Sequence, residues 1–231
     1  MTPLRIFIGW DPHETVAYHV LCHSILTRSS IPVSITPLVQ SSLRAQGLYT
    51  RERGKTESTE FSLTRFLVPA LCQYEGLAVF LDCDMLCQGD IAEVLDLIDP
   101  QDAVSVCQHE YTPKTTRKMQ GQVQTLYPRK NWSSAMVFNT AKCRQLAPDY
   151  VNTATGLALH RLSWASQVGA LPLEWNWLVG EYDKNPDAKL LHYTLGGPWF
   201  RDYQFCDHHE EWFKELDEAF PTLNLPKPVE V

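Results

Sequence analysis

The chain has 231 residues, with 20 lysines and arginines against 27 aspartates and glutamates and a net charge of −7. That length buries one full α/β core, and the acidity leaves no basic footprint for wholesale nucleic-acid binding. No apolar run approaches the roughly twenty residues of a membrane span, and the first eight residues lack a signal-peptide pattern, so a cytoplasmic location is expected. Seven cysteines, an odd number scattered through apolar segments, suit a reducing compartment in which they pack as small hydrophobes. Cys83 and Cys87 are followed by no second pair at zinc-site spacing.

In chain order, Leu4 to Ile8 reads as a strand, and Asp11-Pro12-His13-Glu14 supplies a capping box with proline at the first helical position. The helix it opens runs to about Thr27. Val33 to Leu38 is a second strand, and residues 41 to 60, polar with Gly47 and Gly54, read as a surface loop. A helix is expected from about Phe61 to Cys72, ahead of the apolar strand Leu77 to Leu81. Asp90-Ile91-Ala92-Glu93 repeats the capping pattern and opens a short helix to Ile98. Ala103 to Cys107 and Ser134 to Phe138 are further strands. Between them, residues 109 to 131 carry Lys114, Arg117, Lys118, Arg129 and Lys130. A polar insertion of that length is a lid or binding loop, or else a solvated excursion. His208 to Leu216 reads as an amphipathic helix whose acidic face suits no anionic lipid surface. One domain over residues 1–231 is expected, with 201–231 as a C-terminal helical extension.

Strands alternating with helices predict an α/β fold with a central, mostly parallel sheet flanked by helices, whose ligands bind at the carboxyl ends of strands. The apolar strand ends there in Asp82-Cys83-Asp84. Extended side chains repeat every two residues, so both carboxylates face one way, and they repel unless a cation sits between them. A hard divalent ion that also takes phosphate oxygens satisfies that demand; capping of the next turn is the structural alternative. Gly9-Trp10-Asp11 falls at another such end. There a glycine lets a ligand approach the backbone and a tryptophan offers a flat face, although a loop glycine and a packed indole account for the same residues.

Phe61-Ser62-Leu63-Thr64-Arg65-Phe66-Leu67-Val68-Pro69, Phe80-Leu81-Asp82-Cys83-Asp84-Met85 and Gly89-Asp90-Ile91 resemble the central block of glycosyltransferase family 8. Ser133 to Asn139, Leu171 to Asn176 and His192 to Trp199 continue the family's order, so the resemblance spans about residues 4 to 200. It implies a GT-A (Rossmann-like) fold that binds a nucleotide diphosphate sugar, with uridine as the base, through Mn2+ or Mg2+. Asp82 and Asp84 match the family's DXD motif, with Cys83 between them, and His192 matches the histidine that completes the metal ligands. Arg65 matches an arginine that reaches the nucleotide or sugar, and Ser133 and Ser134 fall where sugar hydroxyls are held. The sequence departs from the family where Trp132 replaces an asparagine and Gly197 replaces a diphosphate-binding lysine. Backbone N–H groups of Gly196 and Gly197 could form an anion nest in its place, or a loop cation such as Lys114, Arg117, Lys118 or Arg129 could reach in.

The family retains the donor's anomeric configuration, and the leaving phosphate can itself take the acceptor's proton, so a protein base is not required. Gln167 lies nearest the family's donor-site glutamine region. An inverting enzyme would instead point to Glu174 or Asp183. Trp175 and Trp177 could stack on a sugar or form the core and rim of the sheet. The resemblance thus implies transfer of a hexose, glucose or galactose, to a hydroxyl of a saccharide, lipid-linked glycan or protein. Two other classes fit parts of the pattern: an aspartate-nucleophile phosphatase, whose lysine and later acidic motif are not evident, and a non-catalytic nucleotide-sugar-binding protein.

Overall fold

The computed structural model describes residues 2–54, 57–115, 119 and 129–222. Strand β1 (Leu4–Gly9) leads through a tight turn at Pro12–Glu14 into helix α1 (Thr15–Arg28). Asp11 caps that turn, its carboxylate accepting from the His13 N–H, as the capping pattern predicts. Strand β2 (Val33–Leu38) has the predicted bounds. A short helix α2 (Gln40–Ala45) then occupies part of the expected loop, tied back where Gln40 donates to the Glu60 carbonyl.

The helix expected from Phe61 to Cys72 is broken. A 3-10 turn at Thr64–Leu67 passes into one turn of helix, α3 (Val68–Leu71), because Pro69 has no N–H and fits only a first helical turn. Strand β3 (Leu77–Leu81) and the short β4 (Met85–Cys87) follow, and Asp90 caps a 3-10 helix, Ile91–Leu97, where a short helix was expected. Next come β5 (Val104–Cys107), β6 (Ala135–Asn139), α4 (Pro148–Thr153), α5 (Gly156–His160), β7 (Val168–Leu171), β8 (Trp177–Leu178), β9 (Leu190–His192) and α6 (His209–Ala219). Arg117 and Lys118, and the C-terminal residues 223–231, lie outside the described residues.

Six strands form the central sheet in the order β2-β1-β3-β6-β5-β7. The β1–β2, β1–β3 and β5–β7 pairings are parallel, and β6 runs antiparallel between β3 and β5. Ala78 to Leu81 are all buried. An unalternating apolar strand of this kind requires cover on both sheet faces. A second sheet, β4-β9-β8, packs beside α1 and α6, with Val20, Leu86, Leu191, Tyr193, Trp212 and Leu216 in a shared apolar cluster. Glu215 of α6 is 2% exposed and fixes the dock, taking His23 Nδ1 at 2.5 Å and Arg28 Nη2 at 2.6 Å from α1.

Candidate metal centre

Asp82 leaves β3 with its N–H donated to the Ser134 carbonyl at 2.9 Å, which fixes the strand end against the entry of β6. Cys83 turns inward and is fully buried, so Asp82 and Asp84 share the other side as the period of two demands. Burial pushes the Cys83 thiol well up, and the carboxylates of Glu14, Asp84, Asp82 and Asp11 push it further. It remains a neutral packing group. β4 then pairs antiparallel with β9 in the register Met85 to His192, and the Tyr193 N–H donates to the Asp84 carbonyl at 2.9 Å. This pairing brings a distant imidazole to the acidic pair. Asp82, Asp84 and His192 each offer one ligand atom, all within 4.8 Å of one another, and His192 Nε2 stands 3.4 Å from Asp84 Oδ1.

The surrounding residues set which nitrogen of His192 faces the acids. Asn176 is fully buried, and its amide nitrogen donates to Ser134 Oγ at 2.9 Å and to the Asn131 carbonyl at 3.2 Å. Its amide oxygen is therefore turned to His192 Nδ1, at 2.9 Å, and accepts a hydrogen bond from the Nδ1–H. In the neutral ring the Nε2 lone pair then points toward Asp84. Two carboxylates and an imidazole lone pair this close together could hold a divalent cation. The arrangement behind His192 is the usual one for a histidine ligand, whose second nitrogen is anchored by an acceptor.

Arg65 does not extend toward open solvent. It is 5% exposed and holds Asp82 Oδ1 at 2.7 Å and the Ser133 carbonyl at 2.9 Å from the same Nη1. Its guanidinium lies over the rings of Phe61 and Phe80, 5.3 and 4.9 Å from their centroids. Arg65 is thus a brace on the first carboxylate. The two serines also bond within the scaffold. Both are buried; Ser133 Oγ bonds His160 Nδ1 at 2.7 Å, and Ser134 Oγ donates to the Asn131 carbonyl at 2.7 Å while accepting from Asn176.

Gly9 lies under Phe61, whose ring atoms would stand 2.3 Å from an added Cβ. Close packing, rather than a ligand, explains this glycine. Trp10 is half-buried with its edge contacts on Tyr18 and His19. Asp11 is buried, bonded to the N–H groups of His13 and Glu60. Gly196 has φ +134, and its N–H closes a turn onto the Tyr193 carbonyl at 2.8 Å, which removes it from the expected anion nest. Gly197 gives its space to the Trp199 indole. Gln167 precedes β7, its carbonyl accepting from Ala103 at the start of β5, so it sits at the strand-entry edge rather than with the trio. The Lys114 N–H donates to Glu181 Oε2. Trp175 is buried and Trp177 half-buried, the core and rim of the sheet.

Two histidines without a role in the motifs also lie close to the centre. His109, 4% exposed just beyond β5, bonds the Tyr182 hydroxyl through Nδ1 at 2.9 Å and takes the Trp132 indole N–H on its carbonyl. Burial, and secondarily His192, pushes its pKa down to about 3. His160, behind Ser133, is also pushed down to about 3, by burial and then by Arg65. The sequence signal for His109 was its place two residues past a strand on the ligand-binding edge. His160 carried none.

No protein-family model matches the chain. Among solved structures it is similar to the WbbM bifunctional glycosyltransferase, at 15% identity and TM-score 0.61 over 95% of this chain and 51% of that one. It is also similar to the glycosyltransferase GlyE of Streptococcus pneumoniae TIGR4, at 15% identity and TM-score 0.62 over 96% and 64%. The galactosyltransferase LgtC, solved with donor and acceptor sugar analogues, matches at 10% identity and TM-score 0.56 over 97% and 98%. The chain thus spans about half of the first and under two thirds of the second. At these identities the likeness is one of fold, the mixed α/β GT-A architecture. By sequence the chain is 52% identical over 225 residues to Protein CDI of Arabidopsis thaliana, covering 94% of this chain and 87% of that protein. The chain belongs to the same family as Protein CDI.

Proposed function

We propose that this protein is a metal-dependent glycosyltransferase of the family 8 type, moving a hexose from UDP-glucose or UDP-galactose to a hydroxyl acceptor with retention. One observation carries the reading: Asp82, Asp84 and His192 converge at the carboxyl end of β3 with ligand atoms within 4.8 Å, on a fold shared with nucleotide-sugar enzymes. These three residues would hold Mn2+ or Mg2+. When bound, such an ion neutralises charge that grows on a departing diphosphate.

The chain's own residues do the positioning. Arg65 fixes Asp82 through an ion pair at 2.7 Å, and Asn176 holds His192 in the tautomer whose lone pair faces the acids. Both serines tie this scaffold together. With retention, the proton of the attacking hydroxyl passes to the leaving phosphate oxygen, so no protein base is required. Helix α6 (His209–Ala219) acts as an extension of one domain, docked through Glu215. All seven cysteines are free thiols, which supports a reducing, cytoplasmic setting. Among the described residues, no helix is long and apolar enough to cross a membrane.

The test is UDP release from UDP-glucose and UDP-galactose by the full chain with and without Mn2+. Metal-dependent release, abolished in Asp84→Asn, is expected. Preference for a phosphomonoester would indicate the phosphatase class, and nucleotide-sugar binding without release would indicate a binding protein; either overturns the transferase reading.

A further inference from the structure

A cavity of about 630 Å³ opens where the turn carrying Arg129 and Trp132 meets the segment after α5 and the entry of β7. None of Asp82, Asp84 and His192 lines it. It is open to solvent, with Arg129, Arg161, Ser163 and Gln167 exposed along it, and its chemistry is uneven for so acidic a chain. Arg129 and Arg161 both line it, together with Gln108, Ser163 and Gln167, and no aspartate or glutamate is among its described lining residues. Neither arginine pairs with a carboxylate among the described residues, although acids outnumber bases along the chain by 27 to 20.

Arg129 is held in place. Its guanidinium lies 5.0 Å from the Trp132 ring centroid, and one Nη donates to the Arg161 carbonyl. A guanidinium with its face on an indole keeps its remaining edge donors for a planar anion, and five donors leave four after the carbonyl is met. The backbone carries a second sign. Arg129 and Leu162 have φ of +61 and +56, two of the six non-glycine residues with positive φ among those described, and both line this cavity. Such conformations persist where the surroundings hold them, and they gather at ligand sites.

We propose that this cavity is a binding site for a sugar-sized anion, in which Arg129 and Arg161 take a carboxylate or phosphate and Gln108, Ser163 and Gln167 take hydroxyls. The proposal is independent of the metal centre and of the transfer reaction. It gives Gln167 a place in ligand binding that does not involve the trio.

The experiment is calorimetric titration of the full chain, in the presence of EDTA, with glucose 6-phosphate, glucuronate and glucose. Both anionic sugars are expected to bind at least about tenfold more tightly than glucose, and the tighter of the two names the anion. Arg129→Gln and Arg161→Gln should each lower that affinity by roughly tenfold, and Arg161→Lys by less, because lysine keeps the charge and loses the fork. Raising salt on the wild-type chain should weaken the anionic sugars and leave glucose unchanged, a readout that depends on no variant. Equal affinity for glucose, indifference to salt, or full affinity in both glutamine variants would overturn the proposal.

Discussion

Arg65 and Asp82 are joined at 2.7 Å in a nearly dry setting, the arginine walled by Phe61 and Phe80 and sharing its Nη1 with the Ser133 carbonyl. This pair sets the direction of the first acidic group of the candidate metal centre. Removing one partner of a buried pair leaves the other uncompensated, at a cost of about 3 kcal/mol or more. Arg65→Ala is therefore expected to lower the urea midpoint by that order and to weaken Mn2+ binding followed by electron paramagnetic resonance. Arg65→Lys should recover part of the stability but little of the metal affinity, because a flexible ammonium cannot reproduce a planar guanidinium stacked on Phe61 and Phe80 and aimed at Asp82. Unchanged metal affinity in both variants would dismiss the brace.

Asn176 governs the tautomer of His192 through the 2.9 Å bond to Nδ1. Second-layer partners of histidine ligands are typically worth about 10- to 100-fold in metal affinity. Asn176→Ala should lose affinity in that range, and Asn176→Asp, which keeps an acceptor, should retain more of it. Equal loss in both would show that packing alone is at stake.

Stability should fall as the pH drops through the weakly acidic range. His109 and His160 are held neutral in the fold, with pKa pushed down to about 3 by burial, whereas in the unfolded chain they titrate near the usual 6.5. Below that value the unfolded state binds the extra protons, so the stability these groups contribute is complete above about pH 6.5 and drains away as pH falls toward 3. Each histidine contributes a slope of about 1.4 kcal/mol per pH unit within the window. His160→Gln should flatten the measured pH dependence by one such slope. A profile identical to the wild type would show that His160 is protonated in the folded protein.

Glu215 anchors the C-terminal helix to α1 through both His23 and Arg28. Glu215→Ala strands both partners and should cost about 3 kcal/mol in thermal or urea unfolding, with increased hydrogen exchange confined first to residues 209–219. Loss of protection spread evenly over the central sheet would contradict a local dock.

Much of this architecture is written in short-range pattern. The apolar runs of β1, β2 and β3 and the capping residues Asp11 and Asp90 act within a few positions of themselves, and the protein's strands and caps follow them. The shared side of Asp82 and Asp84, with Cys83 turned away, is equally local, since it follows from the period of an extended chain. The break at Pro69 was local too, but the apolar stretch around it reads as continuous helix.

What no local rule decides is partnership between residues far apart in the chain. His192 meets Asp84 only because β4 pairs with β9, and Asn176 orients it only because Ser134 and Asn131 claim its amide nitrogen. Arg65, Ser133 and Ser134 were legible as polar residues of a site, but their support of it through Phe61, Phe80 and His160 appears only in the packed fold. The sequence by itself determined the α/β order and the acidic pair, because those depend on neighbours along the backbone. The tertiary structure alone decided which side chains face that pair, because burial and hydrogen-bond satisfaction are settled only when distant segments compete for the same space.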